Sequence, residues 1–524
     1  MSSTQKLPLL TIDDVVGHNR ADDLWLVVDN VVYDLTEFAE HHPGGTEVLL
    51  RFAGRDATRV YNRIHAPSLI SSELAPEKHV GRLDEASITP QWRTAAIESD
   101  ADADADADTD GGSGDGGQRE ADRPPLEDIL SLDDFAQAAE RALSRRAWAY
   151  ISTGTEDNLT RDANTALLRR IWLRPAVLRG VGWDTMDLRT SLFGGRVPLR
   201  MPAFVAPTGT SRTGGKEGEL AIARGAAAAG IIPVISTVAS YPYEEILQQL
   251  PRAEDGGQAM FQLYVDRDRA RAETLLHKLL GGPHGRKIKA VMVTVDLPVA
   301  SKREVDERAR SRTARQRGEA VATGAKQNLA KQTASFIDAS FCWEDLHWLR
   351  ATVDAATSHN GLAEPLPLLA KGIQRAEDAR KALAYGCQGI VITNHGGRAA
   401  DTAPPTILAL LEFHKNCPEI FGRMEILIDG GFRRGSDLIK AICLGASAVG
   451  FGRPFIYSVG YGQAGVEHAA DIIYDEVMTT MQLCGLTNLM KDSNPECVNT
   501  GDIDHMVPGL RHPYAKKPVS PAKL

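Results

Sequence analysis

Short apolar runs alternate with longer segments of helical apolar spacing along most of the chain after Met201. Eight runs rich in β-branched residues are predicted as buried strands, over 201–206, 231–236, 260–265, 290–295, 367–370, 390–393, 425–428 and 448–452. Helices are predicted between strands, for instance over 218–229, 376–385 and 435–444. This alternation predicts an α/β domain closed as a (β/α)8 TIM barrel. An open doubly wound sheet is the alternative, although no G-x-G-x-x-G motif follows the first strand.

The amino-terminal region has a different pattern, typical of a small α+β domain. Two strand-like runs, 24–28 and 31–35, flank an Asp-Asn turn. Short helices are predicted over 47–52 and 56–62. His42, in the string HHPGG, and His65, 23 residues later, would then face each other across a helical pocket.

Two facing imidazoles suit the two axial positions of a haem iron. Closing both positions favours electron transfer, because none remains for dioxygen or substrate. The alternative is a turn histidine and an unrelated surface histidine.

A low-complexity segment separates the two patterns. Six aspartates alternate with small residues from about residue 99, and a Gly/Ser tract follows to 117. Such a segment buries too little apolar surface to offset its ordering entropy, so it is predicted to be a solvated spacer. The predicted organisation is therefore a haem-binding domain, an acidic flexible linker, a barrel and a tail, over 1–85, 86–125, 126–500 and 501–524.

The composition excludes several classes of protein. With 43% hydrophobic and 24% charged residues, the chain is in the ordinary globular range. A net charge of −10 argues against a nucleic-acid partner, and no apolar run is long enough to predict a membrane span. The six cysteines form no C-x-x-C pair, which is typical of a reducing compartment.

The chain ends bear on localisation. The amino terminus has neither a signal-peptide h-region nor an Arg-rich amphipathic presequence. The final Ala-Lys-Leu, 522–524, has the small–basic–Leu pattern of a peroxisomal address. We therefore predict a peroxisomal location, otherwise a cytoplasmic one, in preference to the mitochondrial intermembrane space.

Polar residues occur at or just after the carboxyl ends of the predicted strands, where barrel enzymes form their active sites. Each alone would be a strand-end cap or a surface charge, but eight strands in succession indicate a site. They are Thr208, Ser236, Gln262, Tyr264, Thr294, Asp296, Lys371, His395, Arg398, Asp429, Arg433, Gly452 and Arg453.

These residues can be sorted by chemistry. Gly-rich turns with arginine, 429–435 and 450–454, predict a phosphate cradle. Lys371 and Gln262 supply donors for an electron-accepting ring. His395 is the candidate general base, held by Asp296, and Arg398 is a candidate carboxylate clamp.

Several strings carry a family resemblance. FQLYV, VTVDLP, LLAKGI, ITNHGGR and DGGFRRGSDLIKAICLGA, within about 132–489, resemble the FMN-dependent 2-hydroxy acid dehydrogenases and oxidases. HPGG and AGRDAT resemble the cytochrome b5 family over nearly the whole amino-terminal domain. The combination is similar to the flavocytochrome b2 type of L-lactate dehydrogenase (cytochrome). The resemblance implies FMN in the barrel and haem b ligated by His42 and His65.

The resemblance also implies roles for single residues. Tyr150 and Arg398 would bind the substrate carboxylate, with Arg303 as a second cation. Tyr264 would bind the hydroxyl, and His395 would be the base. Lys371 would lie at the flavin pyrimidine edge, as one of the expected cofactor-binding residues Thr208, Ser236, Gln262, Thr294, Lys371, Asp429, Arg433, Gly452 and Arg453.

Two positions depart from the lactate-specific relatives. Gly209 stands where alanine is usual, and Val238 stands where leucine is usual. Both replacements remove side-chain volume, so space for a bulkier acid is expected beside the flavin.

Three functions remain open from the sequence. The first is a dehydrogenase that passes electrons from FMN to haem and on to a cytochrome c-like acceptor. The second is an oxidase that reduces dioxygen to hydrogen peroxide, and the third is a non-catalytic haem-binding protein. The expected assembly is a homotetramer. A basic insertion within 306–336 is predicted to be a solvated loop, with a lid or a docking surface for an acidic partner as the alternative.

Overall fold

The structure is a computed structural model that describes residues 7–42, 45–89, 92, 122–309, 336–358, 360 and 364–510. The aspartate-rich part of the linker, most of the basic insertion and the carboxyl-terminal Ala-Lys-Leu lie outside the described residues. Within the described ranges, no helix is long and apolar enough to cross a membrane.

The amino-terminal domain is a five-stranded sheet with short helices around it. Its strands are β1 (Leu9–Leu10), β2 (Asn19–Arg20), β3 (Asp23–Val28), β4 (Val31–Asp34) and β5 (His79–Leu83). Its helices are α1 (Ile12–Val16), α2 (Thr46–Leu50), α3 (Thr58–Ile64) and α4 (Pro67–Glu73). The strand order is β1-β5-β4-β3-β2. Asp29 and Asn30 are both left-handed, as the tight hairpin between β3 and β4 requires.

A connecting layer precedes the barrel. It contains the helices α5 (Leu132–Ala142), α6 (Arg145–Ser152) and α7 (Leu159–Leu168) and the strands β6 (Trp172–Leu173), β7 (Thr190–Leu192) and β8 (Val197–Leu199). The β7–β8 hairpin packs apolar residues beneath the barrel, in one cluster with Phe204, Met260 and Leu427. It therefore closes the amino-terminal end of the barrel.

Eight parallel strands close into a barrel, which confirms the predicted fold. They are β9 (Ala203–Val205), β10 (Ile232–Ser236), β11 (Ala259–Leu263), β12 (Ile288–Thr294), β13 (Leu368–Ile373), β14 (Gly389–Ile392), β15 (Glu425–Asp429) and β16 (Ala448–Phe451). Nearly all their residues are buried, because the barrel interior covers one face and the helices cover the other. This explains why the strands read as continuous apolar runs.

The outer layer consists of helices that follow the strands. They are α8 (Gly218–Ala228), α9 (Tyr243–Gln248), α10 (Arg269–Gly281), α11 (Asp345–Thr357), α12 (Ala376–Ala384), α13 (Thr406–Asn416), α14 (Gly435–Cys443), α15 (Arg453–Ser458) and α16 (Gly462–Cys484). The short helix α17 (Leu489–Asp492) and the strand β17 (Val498–Asn499), which pairs with β6, complete the domain.

The fifth barrel strand continues three residues beyond its predicted end. The sequence places Lys371 just after the fifth strand, whereas β13 continues to Ile373 with a register shift at this point. Gly372 has a φ of 121°, and a Cβ there would lie 2.6 Å from the Cβ of Asp296. Glycine therefore lets the backbone beside Lys371 approach Asp296 closely.

Candidate active site and haem site

A cavity of about 150 Å³ opens at the carboxyl ends of the barrel strands. Thr294 and Asp296 are the two predicted site residues of the barrel that do not line it. Those that do are Tyr150, Thr208, Gly209, Ser236, Val238, Gln262, Tyr264, Arg303, Lys371, His395, Arg398, Asp429, Arg433, Gly452 and Arg453. The fold thus brings together residues that are spread over 300 positions of sequence.

His395 lies between Asp296 and Tyr264. Its Nδ1 is 3.2 Å from Asp296 Oδ1, and its Nε2 is 3.3 Å from the Tyr264 hydroxyl. The Asp296 carboxylate is almost fully buried, so it accepts the Nδ1 proton and leaves the Nε2 lone pair facing Tyr264. This is the geometry that a histidine needs to act as a base toward the cavity.

The protonation states agree with that geometry. Burial and the Lys371 charge lower the pKa of His395 to about 4, against the opposing effect of Asp296. Burial alone would raise the pKa of Asp296, but the charges of His395 and Lys371 hold it below its usual range. Burial also raises the pKa of Tyr264, which remains a hydroxyl donor. At neutral pH the imidazole is therefore neutral beside a carboxylate.

A chain of hydrogen bonds links the side chains at the ends of β10, β11 and β12. Ser236 Oγ donates to Gln262 Oε1 at 2.9 Å, and Gln262 Nε2 donates to Thr294 Oγ1 at 2.9 Å. All three are buried at the strand ends. Ser236 and Gln262 line the cavity. Thr294 does not line it, but it accepts a hydrogen bond from Gln262 and so holds that side chain in place.

Two guanidinium groups flank Tyr150. Arg303 Cζ lies 5.4 Å and Arg398 Cζ lies 5.5 Å from its ring centre. Their charges lower the pKa of Tyr150 despite its burial. Arg303 is 8% exposed, and its Nε and Nη1 have no hydrogen-bond partner among the described residues. Buried donors without partners at a cavity wall suit an anionic ligand such as a carboxylate.

Two of the nitrogens of Arg398 already donate hydrogen bonds to backbone carbonyls. Its Nη2 donates to the carbonyl oxygens of Tyr150 and Ile151, both at 2.6 Å, and its Nε donates to Thr153 O at 3.3 Å. In this structure Arg398 therefore holds the end of α6 on the rim, and Arg303 offers more free donors than Arg398 does.

At the end of the cavity where a phosphate is predicted to bind, an arginine also donates hydrogen bonds to the backbone. All three nitrogens of Arg453 donate to backbone carbonyls, those of Ile151, Thr153 and Gly396. Asp429 accepts a hydrogen bond from Thr393 Oγ1. Arg433, Gly452 and Arg453 line the cavity together, and their phosphate contacts stay a prediction.

The space expected beside Gly209 is smaller than the sequence suggested. A Cβ at Gly209 would lie 2.4 Å from Val238 Cγ2 and 2.9 Å from Val238 O. The γ-branch of Val238 therefore occupies the place of the alanine methyl, and the two volume losses do not add. The volume freed by replacing leucine with valine is what remains toward the cavity.

The described structure brings the rings of His42 and His65, in the amino-terminal domain, close together. Their ring centres are 6.2 Å apart, and the planes make an angle of 69°. Two metal–imidazole bonds of about 2.0 Å, each added to the distance from nitrogen to ring centre, would span a similar length, so a haem iron would fit between the two rings. Burial lowers the pKa of His42 to about 4 and that of His65 to about 3, so both rings are neutral, as ligation requires.

His42 is also oriented for ligation, since its Nδ1 lies 3.3 Å from Gly45 O. Nδ1 donates to this carbonyl, which leaves Nε2 free for iron.

An asparagine pair that sequence reasoning missed supports the catalytic loop. Asn164 and Asn394 are buried and exchange two side-chain hydrogen bonds, of 2.8 and 2.9 Å. Asn394 Oδ1 also accepts the Gly397 N–H at 3.0 Å. Asn394 stood next to His395 in the quoted string, but nothing local marks Asn164, which lies 230 residues away on α7.

Comparison with known proteins gives the family. Residues 139–500 match the model of FMN-dependent dehydrogenases, which is more than half of the chain. The chain belongs to this family. Residues 11–84 of this FMN-dependent dehydrogenase match the cytochrome b5-like haem/steroid-binding domain. FMN is therefore the cofactor of the barrel, and haem b that of the amino-terminal domain.

Individual proteins similar to this chain agree with the family assignment. The dehydrogenase is 34% identical to an L-lactate dehydrogenase (cytochrome) of Wickerhamomyces anomalus over 499 residues, covering 94% of this chain and 80% of that one. A double mutant of flavocytochrome b2 with pyruvate bound has a TM-score of 0.64 at 32% identity, over 77% of this chain and 95% of that one. A mandelate oxidase has a TM-score of 0.57 at 32% identity, over 69% and 96%.

Proposed function

We propose that the protein oxidises an L-2-hydroxy acid to the 2-oxo acid and passes the electrons through haem b to a c-type cytochrome. The observation that carries the proposal is a neutral His395, held by Asp296, in the same cavity as the unpartnered donors of Arg303. A base and an anion site in one cavity are what a hydroxy acid substrate needs.

Each side chain in the cavity has a separate proposed role in the reaction. Arg303 and Arg398 bind the carboxylate, and Tyr264 binds the hydroxyl group. His395 accepts a substrate proton at Nε2, and Asp296 stabilises the imidazolium that results. FMN, when bound, accepts the two electrons of the substrate's α-carbon–hydrogen bond. Lys371, a buried residue of the same cavity, would stabilise negative charge that develops on a bound flavin ring.

Anaerobic addition of substrate to the purified protein tests this function. Haem absorbance should change to the ferrous spectrum after flavin bleaching, and cytochrome c should then be reduced stoichiometrically. Flavin bleaching with an unchanged ferric haem spectrum, together with hydrogen peroxide formation in air, would favour the oxidase instead.

The substrate is proposed to be bulkier than L-lactate. Valine in place of leucine leaves room on the cavity side of the loop after β10, and the similarity to a mandelate oxidase agrees with an aryl substrate. Steady-state kinetics with lactate, glycolate, 2-hydroxyoctanoate and mandelate test this. A clear preference for the two smallest acids would refute it.

The protein is proposed to be a homotetramer. A surface loop exposes Val177, Leu178 and Trp183, and Leu483 at the end of α16 is also exposed. The loop is tied to this helix end by hydrogen bonds from Ala176 N to Cys484 O and from Gln482 Nε2 to Val181 O. Contiguous exposed apolar side chains are typical of subunit contacts.

Light scattering of the wild type and of Leu178→Lys tests the assembly. A tetramer that dissociates in the variant is expected, with Leu130→Lys, at an exposed leucine elsewhere, as the control. A monomeric wild type would contradict the proposal.

Peroxisomal import is proposed on the terminal Ala-Lys-Leu alone. A fluorescent protein fused ahead of the full chain should enter peroxisomes, and deleting residues 522–524 should leave it outside. Unchanged localisation after deletion would contradict the proposal.

A further inference from the structure

The haem domain contacts the barrel at two loops that also border the active-site cavity. Ala66 N donates to Ser240 O at 2.8 Å, and Arg212 Nη2 donates to Asn62 O at 2.7 Å. Ala66 directly follows the haem ligand His65, and Asn62 precedes it by three residues. The barrel thus binds the haem domain on both sides of this ligand.

Ser240 is where these contacts meet. Its N–H donates to buried Glu219 at 2.9 Å, as does that of Ser211 on the neighbouring loop. Its hydroxyl accepts the N–H of Arg212 at 3.3 Å, and its carbonyl accepts that of Ala66. Glu219 therefore locks the two loops together and fixes the carbonyl to which the haem domain binds.

A short path runs from the cavity to the haem ligand through this contact. Val238 lines the cavity, and Ser240 follows two residues later. One hydrogen bond then leads to Ala66, and one peptide unit to His65. Electron transfer depends steeply on such contacts, so the alignment of the two domains here matters for the rate.

Arg212 stands beside this path without contacting the cavity. Its Nη1 donates to the Tyr241 hydroxyl at 3.0 Å, and its Cζ lies 5.3 Å from the Tyr241 ring centre. Arg212 takes part in none of the ion pairs among the described residues; the nearby Glu219 carboxylate instead accepts the N–H groups of Ser211 and Ser240. The buried Nε of Arg212 has no hydrogen-bond partner in the same part of the chain.

We propose that Arg212 is a positioning residue for electron transfer, which docks the haem domain and places a positive charge near the haem ligand His65. Reduction of ferric to ferrous iron removes one positive charge, so a nearby cation favours the reduced state. The inference rests on the proposed transfer from FMN to haem.

Each transfer from FMN to haem carries one electron to the iron. Two transfers, with haem reoxidation between them, complete one oxidation, whose two protons pass to solvent.

The test compares full-length Arg212→Gln, Arg212→Lys and a control, Lys278→Gln. Lys278 pairs with Glu73 of the haem domain at 3.5 Å, an exposed contact between the same domains. Anaerobic stopped-flow spectroscopy separates flavin reduction from haem reduction, and spectroelectrochemistry gives the haem midpoint potential. Soret spectra and thermal unfolding check that each variant is folded and loaded.

In Arg212→Gln, haem reduction should slow about tenfold, the factor expected for loss of one hydrogen bond from a charged donor. The haem potential should fall, and flavin reduction by substrate should keep its wild-type rate. Arg212→Lys should restore most of the potential, and Lys278→Gln should match the wild type.

Haem reduction at the wild-type rate in Arg212→Gln, or an unmoved haem potential, overturns the proposal. Slower flavin reduction also overturns it, because the residue would then support the barrel generally. A wild-type haem that substrate never reduces refutes the proposed function instead, so the two failures are distinguishable.

Discussion

At the residue scale, the catalytic base is one of the positions with a strained backbone. His395 has a left-handed backbone, with φ of 59°, and is followed by Gly396 and Gly397, which are left-handed too. Non-glycine residues rarely adopt this conformation, and they do so mainly where the surrounding structure compensates. Here His395 N donates to Thr393 Oγ1 at 2.9 Å, and the turn aims the imidazole at Asp296.

The pKa of His395 sets the expected pH dependence. The base works in its neutral form, so activity is present above its folded pKa and is lost as the pH falls through about 4. The acid limb of kcat/KM should therefore lie well below the ordinary histidine value of 6.5. A pH–rate profile checks this, and an acid limb at or above 6.5 would contradict it.

Asp296→Asn should lower kcat by about 10²–10⁴, because an amide cannot stabilise the imidazolium. FMN content should stay at the wild-type level. Asp268→Asn is the matched control, since the Asp268 carboxylate caps α10 and asparagine caps equally well. A variant that keeps a tenth of the activity would remove Asp296 from this role.

Val238 should control the size of the substrate. Val238→Leu should lower kcat/KM for mandelate relative to lactate by about 10–200-fold, the range for one methylene in an apolar pocket. Gly209→Ala, whose Cβ would clash with Val238, is the companion variant, and Gly209→Ala/Val238→Ala should remove the contact with Val238 Cγ2 while keeping the one with Val238 O. An unchanged ratio in Val238→Leu would place the discriminating contact elsewhere.

At the element scale, helices outside the barrel repeat complete the site. The end of α6 brings Tyr150 to the rim, and α7 brings Asn164 under the catalytic loop. Both helices precede the first barrel strand in sequence, and contacts with the loop after β14 hold them against the barrel. The apolar pattern predicted all eight barrel strands, with their ends within about three residues of the observed ones, because burial on both faces leaves a strong signal.

Asn164→Ala should destabilise the protein by about 1–3 kcal/mol, since it removes both buried hydrogen bonds to Asn394 and the one that Asn164 Oδ1 accepts from Thr406 N. It should also lower kcat, because Asn394 holds the loop that carries His395. Urea unfolding and steady-state kinetics measure the two effects. Asn416→Ala is the control, since Asn416 is also buried but its side chain donates to Pro508 O. A similar loss of kcat in both would contradict the role of Asn164.

The haem ligands lie at the ends of two elements, His42 before α2 and His65 at the carboxyl end of α3. His65→Ala should abolish the low-spin six-coordinate haem spectrum and leave FMN bound, because the flavin site lies in the other domain. Tyr61→Phe, which keeps the neighbouring ring, should retain that spectrum. An unaltered spectrum in His65→Ala would mean that another residue ligates the iron.

At the scale of the whole molecule, net charge should govern encounter with the acceptor. The chain carries a net charge of −10, which attracts a basic cytochrome c over distances that salt screens. The second-order rate of cytochrome c reduction should therefore fall as ionic strength rises. Ferricyanide, an anion, should show the opposite trend. A salt-independent rate with both acceptors would exclude electrostatic steering.

The sequence by itself determined the two-domain organisation, the barrel and the identity of most side chains in the cavity. These features follow from local patterns, namely apolar periodicity and polar residues at strand ends, which do not depend on distant contacts.

Only the tertiary structure decided which groups act on one another. Asn164 forms hydrogen bonds with Asn394, and Arg398 donates to the backbone carbonyl of Tyr150. The side chain of Val238 lies where a Cβ at Gly209 would be. The tertiary structure also set Arg212 against the haem domain. Such contacts join residues far apart in sequence, and their distances depend on how whole elements pack, which no local pattern encodes.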